Sequence, residues 1–199
     1  MITVKTQNNN QLKDNNREMK IKLAGVVAAF VLAMGAVANA KAVLIDRGNG
    51  MIYDSDQDLT WLQDANYAQI SGYDGDGMMD WNTATNWAAG LSYSGYDDWR
   101  LPTITDNGNN GCDWSFSGTE CGYNVDTSGS ELAYVWYDAL GNTPYFDTSG
   151  TGPQAGWGLT STSADGVDIL NLQSGAYWSG TEYAPNTGDA WLFNLGNGG

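Results

Sequence analysis

Of the 199 residues, 23 are Asp or Glu, eight are Lys or Arg and none is His. The side chains available for chemistry are therefore carboxylates. Without imidazole there is no Ser-His or Cys-His nucleophile pair and no usual nitrogen ligand for a transition metal, so any catalysis would run on acid pairs. The acids gather in two short runs. Asp54-Ser55-Asp56-Gln57-Asp58 alternates carboxylates like the opening of an EF-hand loop. Its sixth position is Leu59 and its twelfth Ala65, where that loop needs Gly and Glu, so it is not an EF-hand. Asp74, Asp76 and Asp80 lie in a glycine-rich turn leading to a helix start, which suits oxygen coordination of calcium. The competing reading is solvated turn acids, because Asp and Gly are ordinary turn residues.

Two further groups stand out. Cys112 and Cys121 frame Asp113 to Glu120 with no other Cys or His to complete a metal site. In an exported chain such a pair predicts a disulfide, which would stabilise by roughly 2–3 kcal/mol on the loop-entropy account. Asp97-Asp98-Trp99-Arg100-Leu101-Pro102-Thr103 places one guanidinium between two acids and a proline. Pro102 biases Leu101 toward extended backbone, so Trp99 to Leu101 reads as a short strand with Trp99 and Leu101 on one face and Arg100 on the other. A half-buried salt bridge is the favoured role for Arg100, with a ligand contact as the alternative.

Export follows from the N-terminal region. Residues 1–18 are polar, show no apolar period and are expected to form no folded element. Met19 is a plausible true start. Lys20 and Lys22 then precede an apolar run, Leu23 to Met34, and a small-residue site at Ala38-Asn39-Ala40, which together read as a signal peptide over 19–40. The run is too short for a membrane span. Cleavage after Ala40 removes five of the eight basic residues and two of the 23 acids, leaving 3 cations, 21 acids and a net charge of −18. Such a chain repels nucleic acid and anionic lipid.

The remaining stretch, 41–199, is long enough for one domain with a sizeable core, and its nine Trp and 26 Gly across the chain argue for a packed, turn-rich fold. Val43 to Asp54, with a Gly-Asn-Gly centre, predicts a β-hairpin. Leu59 to Leu62 reads as a strand, and Asp64 to Ile70 is ambiguous. Asp80 caps a helix carrying Trp81, Ala84, Ala88 and Leu91, with Gly90 near its end. Ser130 caps a second, with Glu131 in its first turn and Leu132, Val135, Trp136, Ala139 and Leu140 on one face before Gly141-Asn142. Thr143 to Ser174 is a long polar connection that must be functional or cover a face. Ala176 to Thr181 and Asp189 to Leu195 form an antiparallel pair, in which Trp178 and Trp191 are expected in the core.

Trp99-Arg100-Leu101-Pro102-Thr103, Tyr177-Trp178-Ser179-Gly180-Thr181 and Ala190-Trp191-Leu192-Phe193, in that order, resemble the C-terminal domain family of the Legionella collagen-like protein, Lcl. The resemblance spans about residues 44–199. It implies an α+β, C-type-lectin-like fold: two helices, a small mostly antiparallel sheet and long loops. Similar exported chains carry a PEP-CTERM sorting segment, which this sequence lacks. In similar chains a further strand, ending in an Ala-Val-Arg-Pro-like run, closes the sheet near the N-terminal strand. Here Gly196 to Gly199 ends on turn composition, so a missing strand and an open edge near Val43 to Ile45 are expected, with self-association as a consequence.

The resemblance also implies a bacterial surface or secreted binding module, non-catalytic, recognising carbohydrate or a cell-surface protein. Trp157, Glu182, Tyr183 and Asn186 are its candidate ligand contacts. The family's namesake binds sulfated glycans, but a −18 surface is a poor receptor for polyanions, so neutral glycan or protein is the expected partner. Structural matrix protein is the main alternative. A carboxylate-dependent enzyme is the other: formylglycine-generating enzymes share the Arg-Leu-Pro-Thr element, but their chemistry depends on reactive cysteines, whereas Cys112 and Cys121 suit structural pairing.

Overall fold

A computed structural model describes residues 4–6, 44–108 and 115–199. The expected signal peptide lies outside them. So does Cys112, and with it the predicted disulfide; Cys121 is buried and is not a free thiol. No helix among the described residues is long and apolar enough to cross a membrane.

The fold is α+β with small antiparallel sheets. A five-stranded sheet has the order β2-β3-β4-β1-β5, built from β1 (Val4–Thr6), β2 (Leu44–Gly48), β3 (Met51–Asp54), β4 (Leu59–Leu62) and β5 (Trp99–Arg100). β2 and β3 form the predicted hairpin. Its turn works because Gly48, Asn49 and Gly50 all take positive φ, a conformation open to Gly and tolerated by Asn. Among the described residues β2 pairs only with β3, and it exposes Ile45 beside Asp46 and Arg47, whose charges discourage further strand addition. In β4 successive side chains face opposite sides: Leu59 and Trp61 enter one apolar cluster and Leu62 the other, so all four residues are buried.

β1 departs from the expectation that residues 1–18 hold no folded element. It inserts antiparallel between β4 and β5, pairing Val4 with Trp61 and Arg100, and Lys5 with Thr60 and Trp99. Three residues are too few to show a period, which is why the sequence hid them. A chain cleaved after Ala40 would lack this strand.

Three α-helices follow the hairpin among the described residues. α1 (Tyr67–Ile70) resolves the ambiguous stretch. α2 (Trp81–Ala89) is capped as predicted: Asp80 Oδ1 accepts from Thr83 N at 2.8 Å and Gly90 ends it. Its buried face is Ala84, Trp87 and Ala88, which pack with Met51, Leu62, Trp99 and Leu101. α3 (Glu131–Tyr134) starts at Ser130, whose Oγ accepts from Ala133 N, and then widens into a π-helical turn over Val135–Ala139. There Leu140 N donates to Val135 O, five residues back. The predicted apolar face is the buried one, with Trp136 wholly enclosed.

The long connection covers a face. Asn142, buried, mimics a backbone unit: its Oδ1 accepts from Thr160 N and Ser161 N, and its Nδ2 donates to Ser161 O. The tight pair β6 (Ser163–Ala164) and β7 (Val167–Asp168) then drives Val167 and Ile169 into the first cluster. The last two strands, β8 (Ala176–Glu182) and β9 (Ala190–Asn194), form their own antiparallel sheet as the sequence predicts.

Candidate functional site

Where β5 ends, Pro102 to Asp106 runs alongside β8. Gly180 N donates to Pro102 O at 2.7 Å, Ile104 N donates to Thr181 Oγ1, and Thr181 Oγ1 donates to Ile104 O. Asp106 closes the seam: Oδ2 accepts from Ala184 N at 2.6 Å and from Trp191 Nε1 at 2.8 Å, while Oδ1 accepts from Gly108 N. Behind the seam lies a cavity of about 360 Å³. Its wall is mainly apolar, with Ile104, Val125, Leu132, Trp191 and Phe193, and carries Glu120, Ser130, Tyr183 and Asp189 as polar groups. This is the size and composition of a small-ligand site.

Burial pushes the Asp106 carboxyl up, but hydrogen bonds from Ala184, Trp191 and Gly108 outweigh it and hold the group below the usual carboxylate range. A depressed folded-state value gives stability that is present above the unfolded value, about 4, and lost as pH falls through the folded one. Thermal melts across that acid window are expected to show a steeper loss for the native protein than for Asp106→Asn. Parallel curves would remove Asp106 from the acid response.

Glu120 is the unusual group. It is 7% exposed; Oε2 accepts from Asn107 N at 2.6 Å, and Oε1 has no hydrogen-bond partner among the described residues. Of the hydroxyls nearby, Ser130 Oγ accepts from Ala133 N and Ser179 Oγ accepts from Thr181 N. With no imidazole in the chain, the polar groups of the wall are carboxylates and hydroxyls, set beside aromatic edges and apolar surface.

The four candidate ligand residues divide between two places. Tyr183 lines the cavity and packs edge-on against Trp191, ring centroids 5.1 Å apart. Asn186 shapes the β8–β9 turn through Asp189, and Glu182 ends β8 pointing to solvent. Trp157, 42% exposed, instead packs edge-on against Tyr145 and joins a ridge of rings through Phe146 and Tyr123 to Phe116.

The proposed calcium ligands are not gathered into one group. Asp74 Oδ1 accepts from Asp76 N and Gly77 N, Asp76 Oδ1 accepts from Met78 N, and Asp80 caps α2. Among the described residues no group of three or more acids, Cys or His is arranged to hold a metal. Asp54, in the other acidic run, accepts from Asp56 N and Gln57 N, building the turn into β4.

Arg100 makes the favoured salt bridge. Its two terminal nitrogens donate to both oxygens of Glu131 at 2.8 Å, and Thr103 N donates to the same carboxylate. Arg47 lies over the Tyr53 ring at 4.4 Å. Trp99, Leu101, Pro102 and Trp191 are buried; Trp178 is half-buried and donates Nε1 to Met79 O. Sequence reasoning missed Asp106 and Glu120, because nothing local distinguishes them among 23 acids.

Residues 50–108 match the family described as the Lcl C-terminal domain, which supports the resemblance drawn from the motifs. The match takes in α2 and the Trp99 to Thr103 segment, and stops before β8 and β9. No curated protein and no solved structure matches the chain.

Proposed function

We propose that this chain, with its Lcl C-terminal domain match over residues 50–108, is an exported, non-catalytic binding module with a C-type-lectin-like fold, and that it holds a carbohydrate in the cavity behind the seam of Pro102 to Asp106 with β8. The observation that carries this reading is the cavity itself: about 360 Å³, apolar and aromatic on most of its wall, with a few convergent polar groups. Aromatic edges beside acceptor groups suit a sugar ring, which presents C–H faces and a rim of hydroxyl donors. Anionic glycan is disfavoured, since Arg100 and Arg47 are both engaged elsewhere and, among the described residues, the charged groups of the cavity wall are acids.

The test is a glycan array probed with the domain from Lys41 onward, followed by incubation of each hit and analysis for cleavage. The expected result is saturable binding of neutral or donor-rich glycans, with the glycan recovered intact. Turnover of a hit would move the protein to the carboxylate-enzyme class. An array without any hit would favour a structural matrix role.

A further inference from the structure

The Glu120 carboxylate is nine-tenths buried, and among the described residues only one of its oxygens finds a hydrogen-bond partner. A buried acceptor without a partner is a standing cost, which a ligand carrying the right donor can relieve. The oxygen is shielded from water, so a positive charge brought to the adjoining cavity wall meets it with little screening. Asp189 on the same wall and Asp106 behind Trp191 add charge of the same sign. Asp106 takes three N–H donors, and Asp189 is exposed, with one oxygen bonded to Asn186, so Glu120 is the buried acceptor on this wall with an unpaired oxygen.

We infer that the cavity selects a sugar bearing a free, protonated amine, with Glu120 as the partner of the ammonium group and the Trp191 and Tyr183 side of the wall against the ring. This rests on the binding-module reading and names its ligand class. The amine supplies several donors on one small charged centre, whereas a hydroxyl supplies one donor and no charge, and an acetamide removes the charge and adds bulk. Sulfate in the same place would set like charge against Glu120.

Three β1,4-linked trisaccharides that differ only at C2 form the test: glucosamine, N-acetylglucosamine and glucose. Their affinities are measured by titration calorimetry at a pH where the amines are protonated. The expected result is that the amine form binds roughly tenfold to a hundredfold more tightly than either of the others, and that Glu120→Gln abolishes this preference while melting like the native protein. The native ratio needs no variant, so a poorly folded Glu120→Gln leaves the test intact. Equal affinities, or no binding by any of the three, would overturn the inference and leave the binding-module reading to the glycan array. A preference that survives Glu120→Gln would overturn the assignment to this residue. Hexylamine binding as tightly as the amine trisaccharide would overturn recognition of a sugar.

Discussion

Replacing Trp136 with alanine is expected to cost about 3–5 kcal/mol of folding stability, the range for emptying a fully enclosed aromatic site. Trp136 is 0% exposed, packs edge-on against Tyr137 and Phe193, and donates Nε1 to Leu195 O at 2.9 Å. The chain also passes too close for the site to enlarge or collapse freely. A Cβ built on Gly198 would lie 2.7 Å from the Trp136 ring, and that residue sits at φ +80°, so a side chain there is excluded twice over. Trp136 thus joins α3, β9 and the C-terminal turn. Urea unfolding of Trp136→Ala should show the loss as a lower midpoint, with Trp157→Ala, on the exposed ridge, close to the native value. A change below about 1 kcal/mol for Trp136→Ala would mean that the site repacks, and would contradict the tight junction described.

The second large effect is expected at the Arg100–Glu131 pair. One carboxylate takes both guanidinium nitrogens and the Thr103 amide, while Glu131 N returns a bond to Thr103 O, so α3 is stitched to the segment that follows β5. The side chains are 35% and 18% exposed, which discounts the electrostatic share through solvent screening. Truncating either partner alone, Arg100→Met or Glu131→Gln, is expected to cost about 2 kcal/mol, and the double variant little more than one single change. Additive losses in the four-member cycle would show that the two side chains act separately.

Local chemistry made part of this structure legible. The hairpin around Gly48-Asn49-Gly50, the Asp80 and Ser130 caps and the apolar face of α3 follow from turn conformations, capping oxygens and helical spacing, and the structure has them where those rules put them. Features set by distant partners were not legible. The π-helical turn at Val135–Ala139 accompanies the enclosure of Trp136 by Phe193, Leu195 and Gly198, partners that helical spacing does not reveal. Asn142 reads as a helix stop in sequence, yet its amide also pins Thr160 and Ser161. The same limit applied to the site. Tyr183 was picked out as a loop aromatic, but Glu120 and Asp106 gain their roles from neighbours 13 and 85 residues away.

The central claim, that the cavity behind the seam of Pro102 to Asp106 with β8 is the ligand site, is tested most directly by NMR titration of the protein with its best-binding glycan from the array. The indole Nε1–H of Trp191 and the amides of Gly122, Ser130 and Tyr183 should shift together and saturate with one affinity. Shifts confined to Trp157, Phe116 and their ridge, with the Trp191 indole unmoved, would contradict it.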